Sequence, residues 1–394
     1  MTRSSLAFMM FAVAACGDNG STSASGTDSG SEGSSGGGSS SAGSTGAATT
    51  SGGTGSASDS QTGDPTTTTS PTTTSPGTAT TGDTTTTATT DPGTTGDNTT
   101  GEPADPVYDP DKAGPCTFDT IEATIPVGQA QVPVLAYYPT GGPDAGPYPV
   151  VTIAHGFNID PKQYTNYAER LASHCYVALN VDHRGYIGQA VDHPGYAKQL
   201  LAAVDWAAAE PTLKDLADTD NVGTTGHSLG GKISVLAAMY DARVKASITL
   251  DPVDGANMCP NMMVCPDVSA MLPIAIPLGF LGETLDAEGL MACAPKADNY
   301  QTFYTAASPP ALQVTVNGAS HVSFVDDINT CGLSCVFCQK APLENATVNA
   351  LAQAYVTAYF GRYLRKNAGY DTYLTGAEAQ ARYVAKGLVT IASK

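Results

Sequence analysis

Gly226-His227-Ser228-Leu229-Gly230-Gly231 sets a serine among glycines, after a short apolar run (Val222 to Thr225) and before an Ala-rich segment of helical pattern. Gly-x-Ser-x-Gly between a strand and a helix is a nucleophile elbow: small residues let the chain turn sharply and expose the hydroxyl at a strand end. A serine hydroxyl is a weak nucleophile at neutral pH, so it needs an adjacent base, itself oriented by an acid. With this elbow the partners follow in the order acid, then histidine. Of the six histidines only His321 follows Ser228, in a loop after the apolar run Ala311 to Val316. The other five either sit inside motifs (His155, His227) or precede the elbow as expected helix-end or surface residues (His174, His183, His193).

The acid has several candidates. Asp251 ends the apolar run directly after the elbow helix and is favoured, with Asp254 close behind it. Glu283 and Asp286 follow the next run and are the alternatives. An oxyanion needs two N–H groups aimed at it. Leu229 would supply one and Phe157 the other, because His155-Gly156-Phe157 follows a buried strand. Phe157 could also wall the acyl pocket. A Met-rich stretch after Asp251, including Met258 and Met262, stands where a substrate-binding cap would form, and methionine adapts to irregular apolar ligands.

These groups must be carried to one edge. From residue 107 onward strand-like and helix-like segments alternate, as in an α/β sheet with helices on both faces. The expected strands are 118–125, 131–138, 149–154, 176–181, 221–226, 244–250, 273–281 and 311–316, the first two as an antiparallel pair. Helices are expected at 161–174, 196–209 and 229–240, and a long one at 345–365 closes the domain. The serine after a middle strand is the α/β-hydrolase plan.

The rest of the chain has a different composition. Residues 1–15 carry one arginine and an apolar run, and Val13-Ala14-Ala15-Cys16 reads as a lipobox, so Cys16 would be acylated after removal of a signal peptide. Residues 16–106 are nearly all Ser, Thr, Gly, Ala, Pro and Asp, with no aromatic residue. Such a stretch cannot offset its ordering entropy and is expected to be a disordered tether. Eleven acidic residues between Ser4 and Asp111, with no Lys or Arg, hold more than half of the net charge of −19, which therefore says little about substrate. The 18 basic residues against 37 acidic ones exclude nucleic acid as a partner. Eight cysteines beyond Cys16 fit an exported, disulfide-bonded domain. Cys331, Cys335 and Cys338 could alternatively be metal ligands, but no fourth Cys or His lies near them in sequence.

Taken together, the Gly226–Lys232 elbow, Leu250-Asp251-Pro252-Val253-Asp254-Gly255, Cys293-Ala294-Pro295-Lys296, Asn299 to Tyr304 and Gly318-Ala319-Ser320-His321 resemble the chlorophyllase and chlorophyllase-like branch of α/β hydrolases. The chain is similar too to bacterial cutinase-like polyesterases and platelet-activating-factor acetylhydrolases. The resemblance runs from about Phe118 to Phe360. It implies ester hydrolysis without metal or cofactor, and in that branch the acid is the aspartate of the Asp-Pro-Val-Asp-Gly strand end, here Asp251. Leu229 stands where plant chlorophyllases carry arginine and cutinase-like enzymes methionine, and the latter take their acid from the next strand.

The expectation is a monomeric serine esterase acting on a small or polymeric ester with an apolar part, lipid-anchored in a bacterial cell envelope. An inactive stalked binding module, or an amidase or peptidase on the same fold, are the rivals.

Overall fold

The computed structural model describes residues 106–255, 259, 261–289 and 292–394. The leader, Cys16, the tether and Met258 lie outside them. Nine strands form one sheet among the described residues: β1 (Thr117–Val127), β2 (Ala130–Gly141), β3 (Tyr148–Ala154), β4 (Val177–Val181), β5 (Ala217–Gly226), β6 (Val244–Leu250), β7 (Leu278–Glu283), β8 (Ala311–Val316) and β9 (Val389–Ser393). Their spatial order is β1-β2-β4-β3-β5-β6-β7-β8-β9. β1, β2 and β9 run antiparallel to their neighbours and the rest are parallel.

The helices are α1 (Thr165–Ser173), α2 (His193–Ala209), α3 (Leu229–Tyr240), α4 (Val268–Met271), α5 (Tyr300–Ala306), α6 (Leu333–Val336) and α7 (Asn345–Tyr363), followed by short C-terminal turns. β3 and β4 are buried along their whole length. Their side chains alternate between the sheet's faces. Val151 and Ile153 point into a core shared with Tyr167 and Leu171 of α1 and with Val356 and Phe360 of α7. Val150 and Ala154 point into the opposite core, with Leu200 and Val204 of α2 and Ile233 and Leu236 of α3. Two apolar layers thus clamp the sheet, and the few buried hydroxyls within it, such as Thr224 and Ser247, bond one another across β5 and β6. No described helix is long and apolar enough to cross a membrane.

The expected seventh strand, 273–281, differs from the observed one. Residues 273–277 are not in the sheet, and β7 starts at Leu278, because Pro273 and Pro277 have no N–H to offer a ladder. The long helix also does not close the domain: β9 returns and pairs with β8 from Leu312↔Ser393 to Val316↔Val389.

All eight described cysteines are bridged, as Cys116–Cys175, Cys259–Cys265, Cys293–Cys338 and Cys331–Cys335. This removes Cys331, Cys335 and Cys338 as metal ligands.

The side on which successive strands are added reverses at the centre. The connection after β3 leads outward to β4, whereas the one after β5 leads to β6 on the other side. In open α/β sheets the crevice outside the carboxyl ends at such a switch point is where ligands bind.

Candidate active site

Ser228 occupies that switch point, between the end of β5 and the start of α3. Its backbone sits at φ 57°, ψ −120°, a region that costs a non-glycine residue of order 1–3 kcal/mol and persists only where the surroundings impose it. They do so here. The N–H of His227 donates to the Ala154 carbonyl of β3 (3.1 Å), and that of Ser228 to the Leu250 carbonyl of β6 (3.0 Å). A Cβ on Gly230 would lie 2.1 Å from the Ala154 oxygen, and one on Gly226 2.5 Å from the Gly230 oxygen. These two glycines are therefore required by close backbone approach.

The Ser228 Oγ lies 2.8 Å from Nε2 of His321, and Nδ1 of His321 lies 2.6 Å from Oδ2 of Asp251. Asp251 and His321 are buried, while Ser228 is half-buried. Asp251 follows β6 directly, and its N–H donates to the Leu281 carbonyl within β7 (2.8 Å). His321 opens a 3-10 turn (His321–Phe324) capped by Ser320 and Ser323.

The alternative acids serve the backbone. Asp286 accepts the His321 N–H on Oδ2 (2.8 Å) and the Gln339 N–H on Oδ1 (2.9 Å), so it fixes the loop that presents the imidazole. Glu283 ends β7 and accepts the N–H groups of Leu285 and Asp286. Asp254 forms a buried ion pair with Lys232 of α3 (2.8 Å), which ties the Asp-Pro-Val-Asp-Gly turn to the elbow helix.

Asp251 and Glu283 are buried close enough to oppose each other's ionisation. Burial, and after it the charges of Asp251 and Asp286, pushes Glu283 up to about 8, against the opposing pull of two backbone N–H groups. Burial also raises Asp251, and the hydrogen bond to His321 opposes that. The folded chain thus keeps the Glu283 proton to about pH 8, whereas the ordinary value is 4.5. Between those limits the folded state binds more protons than the unfolded one, so stability falls as pH rises through the window. Glu283→Gln should weaken this fall, read as a smaller drop in the urea midpoint between pH 5 and pH 8 than in the wild type.

Leu229 is the first residue of α3, and its N–H belongs to the first turn of a helix, which leaves its donors without intrahelical acceptors. Phe157 follows β3 on the neighbouring connection with its side chain 38% exposed. The loop carrying it is held by two stacked imidazoles, His155 and His183, whose centroids are 3.8 Å apart at 2°. His155 Nε2 donates to the His183 carbonyl (2.9 Å) and His183 Nε2 to the His155 carbonyl (2.9 Å), joining the ends of β3 and β4. His174, His183 and His193 are all buried, so none lies at the surface, and the helix-end placement holds for His174 and His193. His174 caps α1 and His193 opens α2.

Met262 lies on the connection after β6 and is 55% exposed, with Met263 beside it more so. Sequence reading missed Tyr164, whose hydroxyl lies 2.8 Å from His227 Nδ1, and Lys232. Lys232 did carry a signal, a charged residue one turn after the serine in an otherwise apolar helix.

A hydroxyl, an imidazole and a carboxylate hydrogen-bonded in this order can activate the hydroxyl for attack on a carbonyl. The sheet order and the elbow define an α/β hydrolase. The family model for chlorophyllase matches residues 111–379, and the chain belongs to that family. It is 29% identical over 189 residues to the bis(hydroxyethyl) terephthalate hydrolase of Streptomyces coelicolor, covering 48% of this chain and 54% of that protein. It is 26% identical over 209 residues to chlorophyllase-2 of Arabidopsis thaliana (47% and 63%). With cutinase 2 of Thermobifida cellulosilytica it shares 24% over 179 residues (41% and 66%). The matches thus span little more than half to two thirds of these relatives.

Proposed function

We propose that this protein is a serine carboxylic ester hydrolase, acting as a monomer, with Ser228 as nucleophile, His321 as base and Asp251 as the orienting acid. The observation that carries this is the continuous Ser228–His321–Asp251 chain at 2.8 and 2.6 Å on a strained elbow. The Ser228 Oγ attacks the ester carbonyl while His321 Nε2 takes its proton, and the N–H groups of Leu229 and Phe157 receive the oxyanion. As the tetrahedral intermediate collapses, His321 returns the proton to the leaving alkoxide and the acyl group remains on Ser228. Water, deprotonated by His321, then attacks the acyl carbonyl, and collapse frees the acid and the serine. Ester hydrolysis agrees with the family and with the activities named for its relatives.

The substrate carries an apolar acyl or alkyl part. Phe157, Ile187, Val191, Met262 and Met263 are exposed on the connections that follow β3, β4 and β6, the strands around the serine. Exposed large apolar residues gathered at one edge suit an apolar ligand better than a sugar or an ion.

The test is hydrolysis of p-nitrophenyl esters of increasing chain length beside the matching p-nitroanilides. Ester turnover rising from acetate to longer chains is expected. Anilide turnover at the ester rate would instead make the protein an amidase, and no turnover of either would leave a binding module.

We further propose that the protein is exported and held at a bacterial envelope by lipid on Cys16, with the acidic segment as tether. The lipobox pattern and the cysteine pairing support this. Cys16→Ser should move the protein from the membrane fraction to the soluble one on expression in a bacterial host.

A further inference from the structure

Two buried residues beside the serine have no part in the proton transfers. Tyr164 ends the 3-10 turn Pro161–Tyr164 after the Phe157 loop, and His227 precedes the nucleophile; neither side chain is exposed. The Tyr164 hydroxyl lies 3.1 Å from the N–H of Gly156 and 2.8 Å from Nδ1 of His227. The other ring nitrogen of His227, Nε2, lies 2.8 Å from the backbone carbonyl of His321.

One arrangement of protons satisfies these contacts. A carbonyl only accepts, so Nε2 of His227 carries the proton and donates it. Burial, then the neighbouring His321, holds His227 well below the usual imidazole range, so the ring is neutral and Nδ1 is bare. Nδ1 therefore accepts the Tyr164 O–H, and the phenol oxygen accepts the Gly156 N–H. Burial raises the Tyr164 phenol far above its ordinary value, so it keeps its proton. The result is a one-way chain from the Gly156 N–H, through Tyr164 and His227, to the His321 carbonyl. His227 also packs its ring against that of His321 at 4.6 Å, and a Cβ on Gly156 would lie 3.0 Å from its Nδ1.

The two ends of this chain belong to the two parts that must agree within fractions of an ångström. Gly156 is the residue before Phe157, whose N–H is the proposed oxyanion donor. His321 is the proposed base. We propose that Tyr164 and His227 are positioning residues that fix the oxyanion loop and the base loop relative to each other. The inference rests on the ester-hydrolase reading of the site. It assigns the histidine of the elbow a task distinct from that of its neighbour Ser228.

Tyr164→Phe removes one oxygen and leaves the Gly156 N–H and His227 Nδ1 without their partner. With p-nitrophenyl butyrate, kcat should fall about 10- to 100-fold while KM changes less than about twofold. Affinity for a phenylboronic acid, which forms a tetrahedral adduct on the serine, should fall by the same factor. His227→Gln keeps a donor for the His321 carbonyl, and should cost a similar factor. Combining it with Tyr164→Phe should add little, since both cut one chain.

A readout free of turnover is the imidazole ¹⁵N spectrum of the wild type, where His227 should be the neutral Nε2–H tautomer. Three results would overturn the proposal: an Nδ1–H or charged His227, unchanged kcat and boronate affinity in a folded Tyr164→Phe, or fully additive losses. Each leaves the hydrolase reading standing if the wild type still turns over the ester. A wild type with no ester turnover overturns both.

Discussion

Ser228→Ala should lower kcat on p-nitrophenyl esters by about 10⁶-fold, with KM nearly unchanged and the fold intact. The substitution removes the only atom that can form the acyl-enzyme. His321, still held 2.6 Å from Asp251, could then only deliver water to a carbonyl bound by the two N–H groups. That residual route is worth about 10³–10⁴ over the uncatalysed rate. Alanine tolerates the φ of 57° no worse than serine does, so thermal unfolding should move little. Steady-state kinetics on protein purified free of host esterases, with a melting curve on the same sample, checks both parts. More than about one percent of the activity surviving would refute Ser228 as nucleophile.

Asp251→Asn carries the second-largest expected loss, about 10⁴-fold in kcat. The asparagine would fill the same volume and could still meet Nδ1 of His321, but its amide can donate there. The imidazole would then hold its proton on Nε2, which faces Ser228 and must be bare to receive the serine proton. Glu283→Gln should cost less than about tenfold, because its carboxyl meets backbone N–H groups rather than the imidazole, and one amide oxygen can still accept both at the place of Oε2. A collapse of activity in Glu283→Gln with a mild effect in Asp251→Asn would transfer the acid to the end of β7.

Much of this site could be read from the chain because its parts are local patterns. The elbow is six consecutive residues, His321 is the only histidine after it, and Asp251 ends an apolar run where a strand was expected. The central strands were equally plain, since a run buried on both faces has an apolar signature. The parts that escaped depend on contacts between distant residues. Tyr164 and His227 are 63 positions apart, and an ordinary tyrosine near a helix start gives no hint of the contact. His183 reads as a surface histidine until β3 and β4 are set side by side. Val389-Thr390-Ile391-Ala392-Ser393 is too short and mixed to announce a strand, and its pairing with β8 makes it one. Glu283 stayed an alternative to the favoured Asp251 because sequence gives the position of a carboxylate along a strand, whereas the direction of its oxygens follows from the turn after it.

The pairing of the cysteines makes the molecule two-tiered. The clamped sheet owes most of its order to apolar burial, which any aqueous compartment supplies, with one bridge, Cys116–Cys175, joining the starts of β1 and β4. The connections over its carboxyl edge depend on oxidation. Cys293–Cys338 closes a covalent ring of chain that contains β8 and His321, and Cys331–Cys335 stitches the segment within it. A preparation made in a reducing cytosol could therefore show full secondary structure and still be a poor catalyst, with the base on an open loop. For this protein, far-ultraviolet dichroism would be a deceptive certificate of quality, and a thiol count the better one.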